Sequence, residues 1–359
     1  MSGPQLPHVG AEFYSTFKEL IGLARYVFRN EKAPQFVFTG SGTIGMESSV
    51  VSLVSRGERT LTLTTGYFGK RMLMINQAHG ARAEAIEYRD GVHADPDDLR
   101  KRLRKTKFRA VFVTHVDTST SVANPIKDLV EECSKAGVFS VVDAVCSVGG
   151  FPIDFDRLGA DIVFTASQKA IAGPPGAVLL AASKNAMTHM ETRKKPIESY
   201  YMNLAKWKPV MEDPRMYLAT PATQVLLAVR EALQEVKEEG LENRWSRHSK
   251  LGELTRSRVK GWGFDFVADL GFRADTVTSF WVAGNAGEIQ KTLEQKYGIV
   301  VSRGIYEARD KMIRIGHFGN LTVDRLGTAL DSLDEVITSL RAVKGQAPLP
   351  KAQKSRNPL

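Results

Sequence analysis

From residue 36 to residue 182, short apolar runs alternate with amphipathic stretches, and this alternation restricts the chain to a small set of folds. FVFT, TLTLT, AEAIEY, AVFVTH, FSVVDA, DIVFTAS and GAVLLAAS read as strands. Glu47 to Ser55, Arg71 to His79, Pro96 to Lys105 and Ile126 to Lys135 read as the helices between them. Strands that alternate with helices imply a mostly parallel sheet with helices on both faces. Near-continuous Val, Phe and Ile suit strands buried on both sides. Asp95-Pro96-Asp97 opens its helix with carboxylates at the positive end of the helix dipole. The expected fold class is α/β, a mostly parallel sheet sandwiched by helices, followed by a smaller α+β domain.

Beyond the strands, residues 190 to 220 read as irregular. A helix is expected from about Ala222 to Glu239, stopped at Gly240, and another from about Glu242 to Val259. The pattern then resets to strand TVTSFWVA, helix Gly287 to Tyr297, strands GIVVS and KMIRIG, and helix Val323 to Arg341. These shifts divide the chain into an N-terminal segment or helix (1–30), a large domain (31–245), a small C-terminal domain (246–343) and a tail (344–359). The tail is Pro-rich and basic and is expected to be disordered.

A formal charge of +9 raises nucleic acid as a partner. The basic residues are scattered, though, and no recognition module accompanies them, so anionic small ligands and no nucleic acid are expected. No apolar run approaches the ~18 residues of a membrane span, and MSGPQLPHVG lacks the basic-then-apolar pattern of a signal peptide. Cys133 and Cys146 are the only cysteines and have no C-x-x-C spacing, while none of the 7 His sits at metal-ligand spacing. A cytoplasmic protein with no metal and no membrane contact is expected.

Gly40-Ser41-Gly42-Thr43-Ile44-Gly45 is a literal G-x-G-x-x-G between a strand and a helix. A dinucleotide fingerprint also needs an acid roughly 20 positions later, at the end of the second strand. That end offers Thr64, Thr65 and Gly66, while Glu58 lies before the strand. What survives is an anion cup: glycines admit the anion, and a helix N-terminus points free N–H groups and about half a positive charge at it. A plain tight turn with a Ser/Thr cap is the alternative.

Two strand ends narrow the chemistry. FSVVD runs out on Asp143, and DIVFTA runs out into Ser167-Gln168-Lys169 before a Gly/Pro-rich turn. An acid there can simply cap the next helix, and a lone Lys is usually solvated. Together with the cup they describe a site for pyridoxal phosphate: the cup takes the phosphate, Lys169 joins the aldehyde, and Asp143 partners the protonated ring nitrogen. An acid opposite a cation has its pKa lowered by ~1–3 units, which makes the pairing self-consistent.

TGSGTIGMES, TTGYFGKRM, THVDTSTSV, VVDAVCSVGG, TASQKAIAGPPGA, YLATPATQ and MIRIGHFG occur in that order. In these motifs the chain resembles the fold type I, class V aminotransferases, above all the alanine–glyoxylate/serine–pyruvate family. The resemblance implies a cofactor phosphate held by Ser41, Gly42, Thr43 and Gln168, with Phe68 stacked on the ring and Ser119 near it. A core aromatic and an ordinary turn hydroxyl are the alternatives for those last two. Tyr217 and Thr220 would reach the phosphate of a neighbouring subunit, implying a homodimer with shared active sites; alternatively Thr220 is an N-cap before Pro221. Arg314 would take the substrate carboxylate with its planar fork, unless it forms a structural ion pair. His317 is expected to be structural.

The implied activity is transfer of an amino group from alanine or serine to glyoxylate or pyruvate by a ping-pong mechanism. Other readings are a transaminase for aminoethylphosphonate or phosphoserine, a non-catalytic cofactor-binding protein, or a basic nucleic-acid-binding protein. The chain departs from the family pattern in three ways. Its start matches the family's Gly-His-x-x-x-Glu-Phe stretch as PHVGAEF, without the preceding Pro-Gly-Pro segment; Thr43 stands where some relatives have His; and Asn-Pro-Leu is not a peroxisomal signal.

Overall fold

A computed structural model of the chain describes residues 6–343; the expected tail lies outside them. The sheet strands are β1 (Gln35–Thr39), β2 (Arg59–Thr64), β3 (Arg82–Glu87) and β4 (Ala110–Thr114), then, after the short hairpin of β5 (Val116–Asp117) and β6 (Val122–Ala123), β7 (Phe139–Asp143), β8 (Ile162–Ala166) and β9 (Ala177–Ala182). They form one seven-stranded sheet in the order β1-β9-β8-β7-β4-β2-β3. β9 pairs antiparallel with both β1 and β8, and every other pairing is parallel. All seven strands read from the sequence are therefore present, and all but one point the same way. β4, β8 and β9 are buried along their whole length, which explains their lack of polar alternation.

The helices are α1 (Ala11–Phe28), α2 (Gly42–Leu53), α3 (Tyr67–Ala78), α4 (Pro96–Lys105), α5 (Ile126–Lys135), α6 (Phe155–Leu158), α7 (Lys184–Thr192), α8 (Leu204–Glu212), α9 (Thr223–Glu239), α10 (Leu241–Gly261), α11 (Ala286–Tyr297) and α12 (Val323–Val343). Asp95 caps α4 by accepting from Asp97 N at 2.8 Å, as the sequence suggested. The stretch read as irregular contains α8. Asn203 caps it, and Leu204, Trp207 and Met211 are buried, with Trp207 stacked on Phe38 of β1. Packing on the sheet thus outweighs the hydrogen bond lost at Pro209. α9 begins close to its expected start, with Ala222 and not Thr220 as its N-cap.

A second, three-stranded antiparallel sheet has the order β10-β12-β11, built from Val277–Trp281, Met312–Gly316 and Ser302–Arg303 respectively. Of the strand expected at GIVVS only Ser302 is in β11, and Val300 lies exposed before it. The large core includes Leu241, whereas Leu251 packs in the small one. The division between cores therefore falls inside α10, a single unbroken helix that contains the boundary placed at 245. Periodicity alone could not mark such a point, because the helical pattern never stops.

Candidate active site

In an open sheet of this kind, ligands bind beyond the carboxyl ends of the strands. Here β1, β2, β4, β7 and β8 all end on one side. A cavity of about 260 Å³ opens there, lined among others by Ser41, Gly42, Thr43, Phe68, Thr118, Asp143, Gln168 and Lys169. Seven of the expected site residues are thus brought together.

The cup follows β1. Gly40 has φ 152, and a Cβ on it would lie 2.8 Å from Ile44 Cγ2. Gly45 packs α2 onto β8, since its missing Cβ would stand 2.7 Å from Phe164 Cδ2. The glycines therefore serve the turn and the close helix–sheet contact. Ser41 is the N-cap of α2, yet its side chain makes no capping hydrogen bond. Its hydroxyl and the first N–H groups of the helix can face an anion.

Asp143 ends β7, directly beside Phe164 of β8 in the sheet register. Its Oδ1 accepts from Val145 N at 3.0 Å. Burial pushes its pKa up to about 7; the bond from Val145 opposes this, nearby Asp117 adds to it, and Arg71 and Lys169 pull it down. A protonated ring nitrogen set against this carboxyl would favour its ionised form.

Lys169 follows β8 in a turn that is fixed from several sides. Ala172 N donates to the Lys169 carbonyl at 2.9 Å, Gly173 N to Ser167 O at 2.9 Å, and Ser167 Oγ to Pro174 O at 2.5 Å. Ala172 is left-handed at φ 65, a strain of roughly 1–3 kcal/mol for a residue with a Cβ. The buried Arg244 donates to Ala170 O at 2.7 Å, and Lys169 Nζ lies 5.3 Å from the Phe318 ring centroid.

Ser119 is tied into the turn that leads to α3. Its hydroxyl donates to Asp117 Oδ1 at 2.5 Å and accepts from Tyr67 N at 2.8 Å, so it caps α3. Thr118, one position earlier in this tight turn, lines the cavity. Asp117 is fully buried and also accepts from Phe68 N at 3.1 Å and Gly69 N at 3.3 Å. Burial raises its pKa, against the bonds it accepts. Gly66 permits this approach, since a Cβ there would stand 2.6 Å from Asp117 Cγ. Phe68 is therefore held at the cavity by a carboxylate that pattern reading passed over. Arg71 and Cys146 also line the cavity and were not singled out; the TTGYFGKRM motif carried the signal for Arg71.

Arg314 is half-buried on β12. Nε donates to Arg303 O at 2.8 Å and Nη1 to Thr118 O at 2.8 Å. Burial lowers its pKa, with Asp117 opposing. It forms no ion pair among the described residues, so the structural-pair alternative is not what holds it. His317 is buried, bonded to Thr278 Oγ1 at 2.9 Å and pushed down to about 3 by burial, as a structural residue would be. Tyr217 and Thr220 are not brought to this cavity. They lie exposed, bonded to each other at 2.7 Å, with Tyr217 65% accessible. No cluster of metal-ligating side chains occurs among the described residues, and no helix there is long and apolar enough to cross a membrane.

The fold is that of the fold type I pyridoxal-phosphate enzymes. The profile of the Aminotransferase class-V family matches residues 3–320. The chain belongs to that family, whose members depend on pyridoxal phosphate. The alanine–glyoxylate aminotransferase of Oryctolagus cuniculus is 32% identical over 333 residues, covering 90% of this chain and 85% of that one. The crystal structure of an alanine–glyoxylate aminotransferase from Nostoc sp. superposes with a TM-score of 0.89 at 27% identity, covering 93% of this chain and 90% of that one. The ureidoglycine–glyoxylate aminotransferase of Bacillus subtilis gives 0.91 at 25% identity, covering 98% and 90%.

Proposed function

We propose that this aminotransferase takes an amino group from a small amino acid, alanine or serine, and delivers it to glyoxylate or pyruvate by a ping-pong mechanism. When bound, pyridoxal phosphate supplies the aldehyde that accepts the amino group and an electron-poor ring that takes up charge from the substrate's Cα. Ser41, Gly42, Thr43 and Gln168 would hold its phosphate, Phe68 its ring face and Asp143 its ring nitrogen.

The chain's own groups then have distinct tasks. Lys169 Nζ, just past β8, removes and returns the proton on the substrate's Cα, a role worth typically 10²–10⁴-fold in rate. Asp143 keeps a proton on the ring nitrogen. Arg314 offers its fork to the substrate carboxylate, and Phe68 and Phe318 keep water from the reacting atoms. Tyr217 and Thr220, exposed on their own subunit, would complete the neighbouring site of a homodimer.

The observation that carries this reading is Arg314: a cation with no ion pair among the described residues, tied to the carbonyl of a cavity-lining residue. Glyoxylate recurs in the names of the rabbit, Nostoc and Bacillus relatives, which supports it as an acceptor. The test adds single amino acids to the holoprotein without any acceptor and measures released 2-oxo acid. Alanine or serine should release 2-oxo acid equivalent to the active sites, and glyoxylate should then be aminated after the donor is removed. Release that requires both substrates together would contradict ping-pong transfer.

A further inference from the structure

We propose that Arg71 is the cationic member of the phosphate site, closing the cup formed by Ser41, Gly42, Thr43 and Gln168. This rests on the reading of the cavity as a pyridoxal-phosphate site. Arg71 and Lys169 are the only cationic side chains that line it among the described residues. Lys169 is committed to the aldehyde. A phosphate monoester carries about −1.5 to −2 at neutral pH, and a helix N-terminus offsets only about half a charge. Without Arg71, most of that charge would face neutral hydroxyls and amides.

The side chain's surroundings suit the task. Arg71 Nη1 reaches Thr43 Oγ1 at 3.4 Å, which places the guanidinium one side chain away from the first turn of α2. Nη2 reaches the Tyr67 hydroxyl at 3.3 Å. Both bonds are long and both partners neutral, and Arg71 has no ion pair among the described residues. The rings of Tyr67 and Phe68, each with its centroid 4.9 Å from Cζ, hold the group by cation–π contact. The planar fork is therefore oriented by neutral partners, with Asp143 attracting it without a bond, and it stays free to bind phosphate bidentately.

The test compares two ligands that differ only in the phosphate. Affinities of the full-chain apoprotein for pyridoxal phosphate and for pyridoxal are measured for wild type, Arg71→Gln and Arg71→Lys, with inorganic phosphate as competitor. Arg71→Gln should weaken pyridoxal phosphate by ~10–100-fold and leave pyridoxal unchanged; Arg71→Lys should fall between. In the wild type, inorganic phosphate should compete with pyridoxal phosphate and not with pyridoxal, a readout that survives if a variant fails to fold. Equal weakening of both ligands would assign Arg71 to the ring through Phe68 and overturn the proposal, as would unchanged affinity for pyridoxal phosphate. A wild type that binds neither ligand would overturn the cofactor reading itself, and this assignment with it.

Discussion

Arg314 Nη1 donates to the carbonyl oxygen of Thr118 at 2.8 Å, joining β12 of the small sheet to the turn that rims the cavity of the large one. The guanidinium is thus aimed by two backbone carbonyls, Thr118 and Arg303, and not by an acid that would neutralise it. Arg314→Lys keeps the charge and loses the fork. It should raise KM for α-amino acids by roughly 10–100-fold with a smaller change in kcat. Steady-state kinetics with alanine check this; an unchanged KM would remove Arg314 from the substrate site.

Asp143 gives the apoprotein a pH signature. Its folded pKa, pushed up to about 7 by burial, stands above the ordinary carboxyl value of 3.8. Between those values the native state keeps a proton that the unfolded chain has released. The resulting stabilisation is full below the unfolded value and is lost as pH rises through the folded one. Apoprotein stability from urea unfolding should therefore decline across that window, and Asp143→Asn should flatten the decline. Asp117, also raised by burial, leaves a residual slope of the same sign.

Gly45 tests the fit of α2 on the sheet. A Cβ there meets the Phe164 ring at 2.7 Å and Val178 Cγ1 at 3.2 Å, both in buried strands. Gly45→Ala should destabilise the protein by about 1–3 kcal/mol through overpacking, despite the better helix propensity of Ala. Chemical denaturation measures it, and a stabilised variant would show that the helix can shift freely.

Arg244 anchors the lysine turn. It is almost wholly buried, pairs with Glu239 at 2.6 Å and reaches Asn320 Oδ1 at 3.0 Å as well as Ala170 O. Glu239 is partly exposed and keeps Arg247 as a partner, so the loss is that of the hydrogen bonds Arg244 makes, about 1–3 kcal/mol. Arg244→Ala should lose that much in urea unfolding, while a loss within experimental error would mean that the turn is held by its own backbone bonds.

The large sheet was legible in the sequence because its strands are buried on both faces and keep continuous apolar runs. The small sheet was less so: β11 has two residues, too few for any period to register. Asp143 and Lys169 were legible because each breaks an apolar run at a strand end. Asp117 was not, since it sits in a polar motif, THVDTSTSV, where nothing but the fold shows which side chain turns inward. The same turn places Thr118, which the sequence did not single out, on the cavity wall. Tyr217 and Thr220 do not line the cavity of their own chain, and the reading that gives them a role assigns them to a neighbouring subunit, which a single chain cannot display.

The most direct test of the account is where the cofactor attaches. Holoprotein is reduced with borohydride, digested, and its peptides are analysed by mass spectrometry. The expected result is cofactor mass on the peptide containing Lys169, and none anywhere in Lys169→Ala. Label on a different lysine, or a Lys169→Ala protein that still retains covalent cofactor and turns over, would contradict it.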